Sequence, residues 1–162
     1  MSNLSRPNPI LVTGSHRSGT TWVGNMLSAS PDLYYIHEPF NVDHPPGNGI
    51  CSCKFPYWFM HINRRNEADF YTPIKKMIEG KYNLISGFSE VRSIKQFRRN
   101  LQTRRLIVNS RNQGAKPLLK DPIALFSAEW LHERFGLDVL VLIRHPAAFT
   151  SSLKRLVWEF DF

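Results

Sequence analysis

Four short apolar runs punctuate the chain, at residues 9–13, 33–36, 117–119 and 138–143, and polar or glycine-rich residues follow each. They are continuous rather than alternating, as expected of strands buried on both faces of a parallel sheet. Between them the apolar positions switch to helical spacing. Trp22, Val23, Met26 and Leu27 share one side of a first helix. Phe70, Ile74, Met77 and Ile78 mark a second over residues 67–79, and Ile94, Phe97 and Leu101 a third over residues 91–106 with a basic face. Leu125, Phe126, Trp130 and Leu131 predict a packed helix over residues 123–135, which Gly136 can end. A last helix begins at Pro146. Residues 43–55 read as a loop around Pro45-Pro46-Gly47-Asn48-Gly49, and residues 81–90 fit no element clearly. Alternating strands and helices predict an α/β fold, with three layers built on a mostly parallel central sheet. Ligands of such sheets bind at the carboxyl ends of the strands. Strand order is not legible in the pattern.

The first of those ends carries the strongest chemical signal. Gly14-Ser15-His16-Arg17-Ser18-Gly19-Thr20-Thr21-Trp22 joins strand to helix. Glycines let backbone N–H groups close on an anion, and the helix start adds partial positive charge. The spacing from Gly14 to Gly19 matches a P-loop-like phosphate-binding loop, but Thr20 stands where nucleotide triphosphatases carry lysine. The cation comes earlier, as Arg17. A plain strand-to-helix turn capped by Ser18 would not require both threonines, the arginine and two glycines.

Three further strand exits carry polar groups. His37-Glu38-Pro39 follows the second run, and a carboxylate there can take a proton from a hydroxyl. Lys120-Asp121-Pro122 follows the third, with Asp121 and Pro122 read as N-cap and first helical residue. Lys120 by itself reads equally as a solvated loop lysine. Arg144-His145-Pro146 ends the fourth.

Taken together, these segments resemble the PAPS-dependent sulfotransferases (PAPS is 3′-phosphoadenosine 5′-phosphosulfate). Arg17 to Trp22 reads RSGTTW, similar to the arginine-type 5′-phosphosulfate loop of carbohydrate and tyrosylprotein members. The segment from Leu118 to Leu125, LLKDPIAL, resembles a tyrosylprotein-type segment whose lysine reaches the transferring group. Glu38 falls at that group's catalytic glutamate, with His37 a weaker competitor. An arginine ending a strand and a serine eight residues later bind the 3′-phosphate in the family; here they are Arg144 and Ser152. The resemblance therefore implies catalytic roles for Glu38, Arg17 and Lys120. It implies nucleotide contacts from Arg17, Ser18, Gly19, Thr20, Thr21, Trp22, Arg144 and Ser152. Trp22 would stack on adenine, with core packing nearly as good a reading. The implied reaction moves a sulfonyl group from PAPS to a hydroxyl or amine acceptor, releases adenosine 3′,5′-bisphosphate and uses no metal. A P-loop kinase or nucleotidase, and a non-catalytic nucleotide-binding fragment, are the rivals.

Composition refines this picture. One domain over residues 1–162 accommodates 42% hydrophobic residues. It is expected to be incomplete at its C-terminus, because family members are longer and Trp158, Phe160 and Phe162 cluster at the end. The net charge of +8 suits an anionic co-substrate. Most of the excess lies in pairs such as Lys75-Lys76, Arg98-Arg99 and Arg104-Arg105, which read as solvated helix faces. No nucleic-acid motif is present. Cys51 and Cys53 are too close for an unstrained bridge and too few for a zinc site. Two free thiols, with no span-length apolar run and no leader pattern, lead us to expect a cytoplasmic protein.

Overall fold

The computed structural model describes residues 8–43, 50–81 and 93–157. The expectations for Trp158, Phe160 and Phe162, for Pro45 to Gly49, and for most of residues 81–90 lie outside them. Four strands form one sheet: β1 (Ile10–Gly14), β2 (Leu33–His37), β3 (Lys116–Lys120) and β4 (Asp138–Leu142). Each falls within two residues of its predicted run. The order is β2-β3-β1-β4, and every pairing is parallel. Among the described residues, five helices connect and cover the sheet: α1 (Thr20–Leu27), α2 (Ala68–Ile78), α3 (Ile94–Asn112), α4 (Ala128–Phe135) and α5 (Pro146–Arg155). The fold is α/β, as the alternation requires.

The centre of the sheet is dry. Leu11, Val12, Leu118 and Leu119 are fully buried, and Ile36, Ile74, Met77, Ile123 and Leu131 share one hydrophobic core with Leu11 and Leu119. Burying such a side chain stabilises the fold by about 1.5–3 kcal/mol. In α2 the predicted stripe holds, with Phe70, Ile74 and Met77 all buried.

Three helices pack otherwise than hydropathy alone would have them. In α1 the apolar stripe does not meet the sheet: Trp22 is 68% exposed and Met26 59%, while Thr20 and Gly24 are the buried positions. Gly24 explains this. A Cβ there would lie 2.9 Å from the Tyr35 ring and 3.2 Å from Lys120 Cβ, so α1 approaches β3 as backbone rather than through large side chains. In α3, Ile94 and Phe97 are exposed and only Asn100 and Ile107 are buried. Only part of this long helix lies over the sheet. The single helix expected at residues 123–135 is two: a tight 3₁₀ segment (Ile123–Ser127) followed by α4. Three residues per turn change the face presented. Ser127, not Phe126, points inward; it donates to the Met60 carbonyl at 2.6 Å and accepts from the Ile62 amide at 3.1 Å. Gly136 ends α4 in the left-handed conformation, as expected.

Candidate active site

The carboxyl ends of β1, β3 and β4 open on a cavity of about 1100 Å³. Its floor is the loop between β1 and α1. Gly14 sits at φ +141°, and a Cβ would strike the Leu142 carbonyl at 2.2 Å, so β1 and β4 meet here only because this residue has no side chain. Gly19 caps α1 with no side chain on the first turn, and that turn carries no acidic residue. The amides at the helix start are therefore open to an anion. Ser18 does not cap the helix. Its Oγ is buried and has no hydrogen-bond partner among the described residues, a group whose desolvation a bound anion would compensate.

Arg17 lies in the left-handed region at φ +62°. Its Nε donates to Ser152 Oγ at 3.1 Å, and its carbonyl accepts from Arg144 Nη1 at 2.7 Å. The fold thus brings Arg144 and Ser152, 127 and 135 residues downstream, against the loop itself. The Arg17 guanidinium is tied to this group through Ser152. Ser152 is buried on α5, whose first turn is capped by His145 and begins at Pro146 as predicted.

A second cluster occupies the other side of the cavity. His37 pairs with Lys120 across β2 and β3, and the Glu38 amide continues the ladder by donating to the Lys120 carbonyl at 2.9 Å. This register sets the two side chains together, and Lys120 Nζ donates to Glu38 Oε1 in a tight ion pair. Lys120 is buried rather than a solvated loop lysine. Glu38 is held at φ +42°, a conformation that costs a non-glycine residue on the order of 1 kcal/mol. Burial alone would raise its carboxyl. The hydrogen bond and charge of Lys120 outweigh that, helped by His37 and Asn41, and hold it below the ordinary range. Asn41 Nδ2 donates to Glu38 Oε2 at 3.2 Å. His37 is exposed, stacks on Tyr35 and stands 3.9 Å from Glu38.

Asp121 is more than a cap. Its Oδ1 accepts from the Ile123 amide at 2.9 Å and its Oδ2 from the Phe40 amide at 2.7 Å, so one carboxylate ties the exits of β2 and β3 together. It is fully buried, and desolvation pushes its pKa up to about 7 against the lowering effect of those amides.

The sequence model of the sulfotransferase family matches residues 9–161. The chain belongs to that family. No curated protein and no solved structure matches the chain significantly. For a sulfotransferase, the assigned residues line one connected cavity: Arg17, Ser18 and Gly19 from the loop, Thr20, Thr21 and Trp22 from the start of α1, Arg144 from just beyond β4, and Glu38 with Lys120. Ser152 reaches it through Arg17. Trp22 is exposed at the rim, which removes core packing as its role. Sequence reasoning missed His16, Asn41, Trp58 and Phe59, which also line the cavity. The first sits inside the recognised loop, while the other three lie in segments whose polarity gives no sign of a shared wall.

Among the described residues, no helix is long and apolar enough to cross a membrane, and no group of three or more potential ligands could hold a metal ion. Cys51 and Cys53 are free and buried.

Proposed function

We propose that this sulfotransferase moves a sulfonyl group from PAPS to a hydroxyl or amine acceptor by in-line displacement. The observation that carries this reading is the contact of Arg17 in the loop with both Arg144 and Ser152, in the same cavity that the Lys120–Glu38 ion pair lines. One compact ligand with anionic groups at two points suits that layout. The amides at the start of α1, with Ser18, Thr20 and Thr21, hold the 5′-phosphosulfate. Arg144 and Ser152 hold the 3′-phosphate, and Trp22 supplies a face for the adenine.

Glu38 takes the acceptor proton as the acceptor oxygen or nitrogen bonds to sulfur. The bond between sulfur and the bridging phosphate oxygen breaks, and adenosine 3′,5′-bisphosphate leaves. Lys120 and Arg17 stabilise the charge that grows on the bridging oxygen and sulfonate; a preorganised donor of this kind contributes about 3 kcal/mol. The carboxyl held low by Lys120 is ionised at neutral pH and ready to accept a proton. When the base takes that proton, Lys120 is freed toward the leaving group.

Calorimetric titration with adenosine 3′,5′-bisphosphate tests the donor assignment. It should bind at least tenfold more tightly than adenosine 5′-phosphate, and Arg144→Ala should erase the difference. Equal affinity for the two nucleotides, or magnesium-dependent turnover of ATP, would favour a kinase-type reaction instead.

A further inference from the structure

The first turns of α3 stand clear of the core. Ser93 caps the helix by accepting from the Gln96 amide, yet every residue from Ile94 to Arg99 is exposed, and burial starts only at Asn100. Two of those exposed residues are apolar: Ile94 is 76% exposed and Phe97 47%. Spacings of three and four place Ile94, Phe97 and Leu101 on one side of the helix, with Arg98 and Arg105 along the same side. Asn100 and Ile107, seven residues apart, mark the different side that meets the fold. The exposed stripe is therefore a second face of the helix.

The charges of α3 are all of one sign. Over its 19 residues it carries Lys95, Arg98, Arg99, Arg104, Arg105 and Arg111 and no aspartate or glutamate. None of these cations takes part in an ion pair among the described residues. Lys95 and Arg99 stand four apart, a repulsive spacing for like charges. The first turn, where the helix dipole favours anions, holds no acidic residue. Exposed apolar surface and unneutralised positive charge thus share one end of one helix. An anionic bilayer relieves both at once, because its headgroups meet the cations while Ile94 and Phe97 enter the acyl boundary. An acidic polymer offers charge alone and leaves the two apolar side chains in water. No residue of α3 lines the cavity, so this surface stands apart from the proposed transfer chemistry.

We propose that α3 docks this protein on membranes rich in anionic lipid, with Ile94, Phe97 and Leu101 turned to the bilayer and Lys95, Arg98, Arg99 and Arg105 on the headgroups.

Co-sedimentation of the full chain tests this with two vesicles: pure phosphatidylcholine, and phosphatidylcholine containing about one-third phosphatidylserine. The chain should bind the anionic vesicles at least tenfold more tightly. Ile94→Ser with Phe97→Ser should weaken that binding at least fivefold, and Arg98→Gln with Arg99→Gln at least tenfold. Lys75→Gln with Lys76→Gln, which removes the same charge from exposed positions on α2, should change it less than twofold. All these positions are exposed, so melting temperatures should match the wild type. Equal binding to both vesicles overturns the proposal, as does an equal loss in the Lys75 and Lys76 control. An apolar double variant that binds like the wild type also overturns it, and would leave an acidic polymer held by charge alone. Self-association in analytical ultracentrifugation that this double variant abolishes, with no vesicle binding, would instead assign the face to a second copy.

Discussion

β3 and β4 flank the same central strand and end at the same cavity, yet they carry their functional residues in opposite settings. β3 is buried from Pro117 onward, and its exit residues Lys120 and Asp121 are 3% and 0% exposed. β4 is open to solvent along most of its length, and Ile143, next to Arg144, is 90% exposed. Side chains at the β3 exit hold the fold whatever chemistry is proposed for them, because the groups they satisfy have no water to turn to. Side chains at the β4 exit stand nearer to water, and Arg144 makes one described bond there, to the Arg17 carbonyl. Mutation should therefore damage stability at one exit and affinity at the other.

The sharpest way to break this contrast is Asp121→Ala. It strands the buried Phe40 and Ile123 amides, and each lost partner costs about 1–3 kcal/mol. Urea unfolding should show a loss of roughly 4 kcal/mol; a loss below 1 kcal/mol would mean the two exits do not differ. Lys120→Met should come next, at about 3 kcal/mol, because it leaves the partly buried Glu38 without its cation. It should also lower turnover at least tenfold and raise the Glu38 pKa.

Acidity separates the two exits again. Desolvation raises the Asp121 pKa from 3.8 to about 7 in the folded state, so the folded protein binds that proton more tightly than the unfolded chain. The stability from this group is complete below pH 3.8 and is lost as pH rises toward 7. Glu38 is shifted the other way, and its contribution is lost as pH falls below the ordinary glutamate value. Asp121→Asn should therefore remove a decline in melting temperature between about pH 4 and 7 that the wild type and Glu38→Gln both retain. An unchanged pH profile in Asp121→Asn would refute the assignment. The smallest stability effect belongs to Arg144→Ala, within about 0.5 kcal/mol of wild type in urea. A substitution there that unfolds the protein as readily as Lys120→Met would erase the distinction.

The same contrast governs what the sequence could reveal. Strand positions were legible because continuous apolar runs have few other uses. The anion loop was legible because glycines and small hydroxyls at fixed spacing encode a backbone shape directly. Glu38 and Lys120 were each assigned a role, but their ion pair was not foreseen, since it depends on β2 and β3 becoming neighbours across 82 residues of chain. Asp121 was read as a local cap because one of its two amide partners is local; the other, Phe40, is not. The face that α1 turns to the sheet depends on a similar non-local fit. Trp22 and Met26 look like core material by hydropathy, but the small volume of Gly24 decides which side lies on the sheet.

That glycine has a wider consequence. With no side chain, it lets α1 settle against the Tyr35 ring and the Lys120 stem, so the thickness of this contact bears on how far the anion loop stands from β3. A single methyl added there would act as a shim, lifting the loop off the lysine while leaving every polar group in the cavity chemically intact. Size, with no change of charge, is thus a dial on the reaction that a chemist scanning only for ionisable residues would overlook.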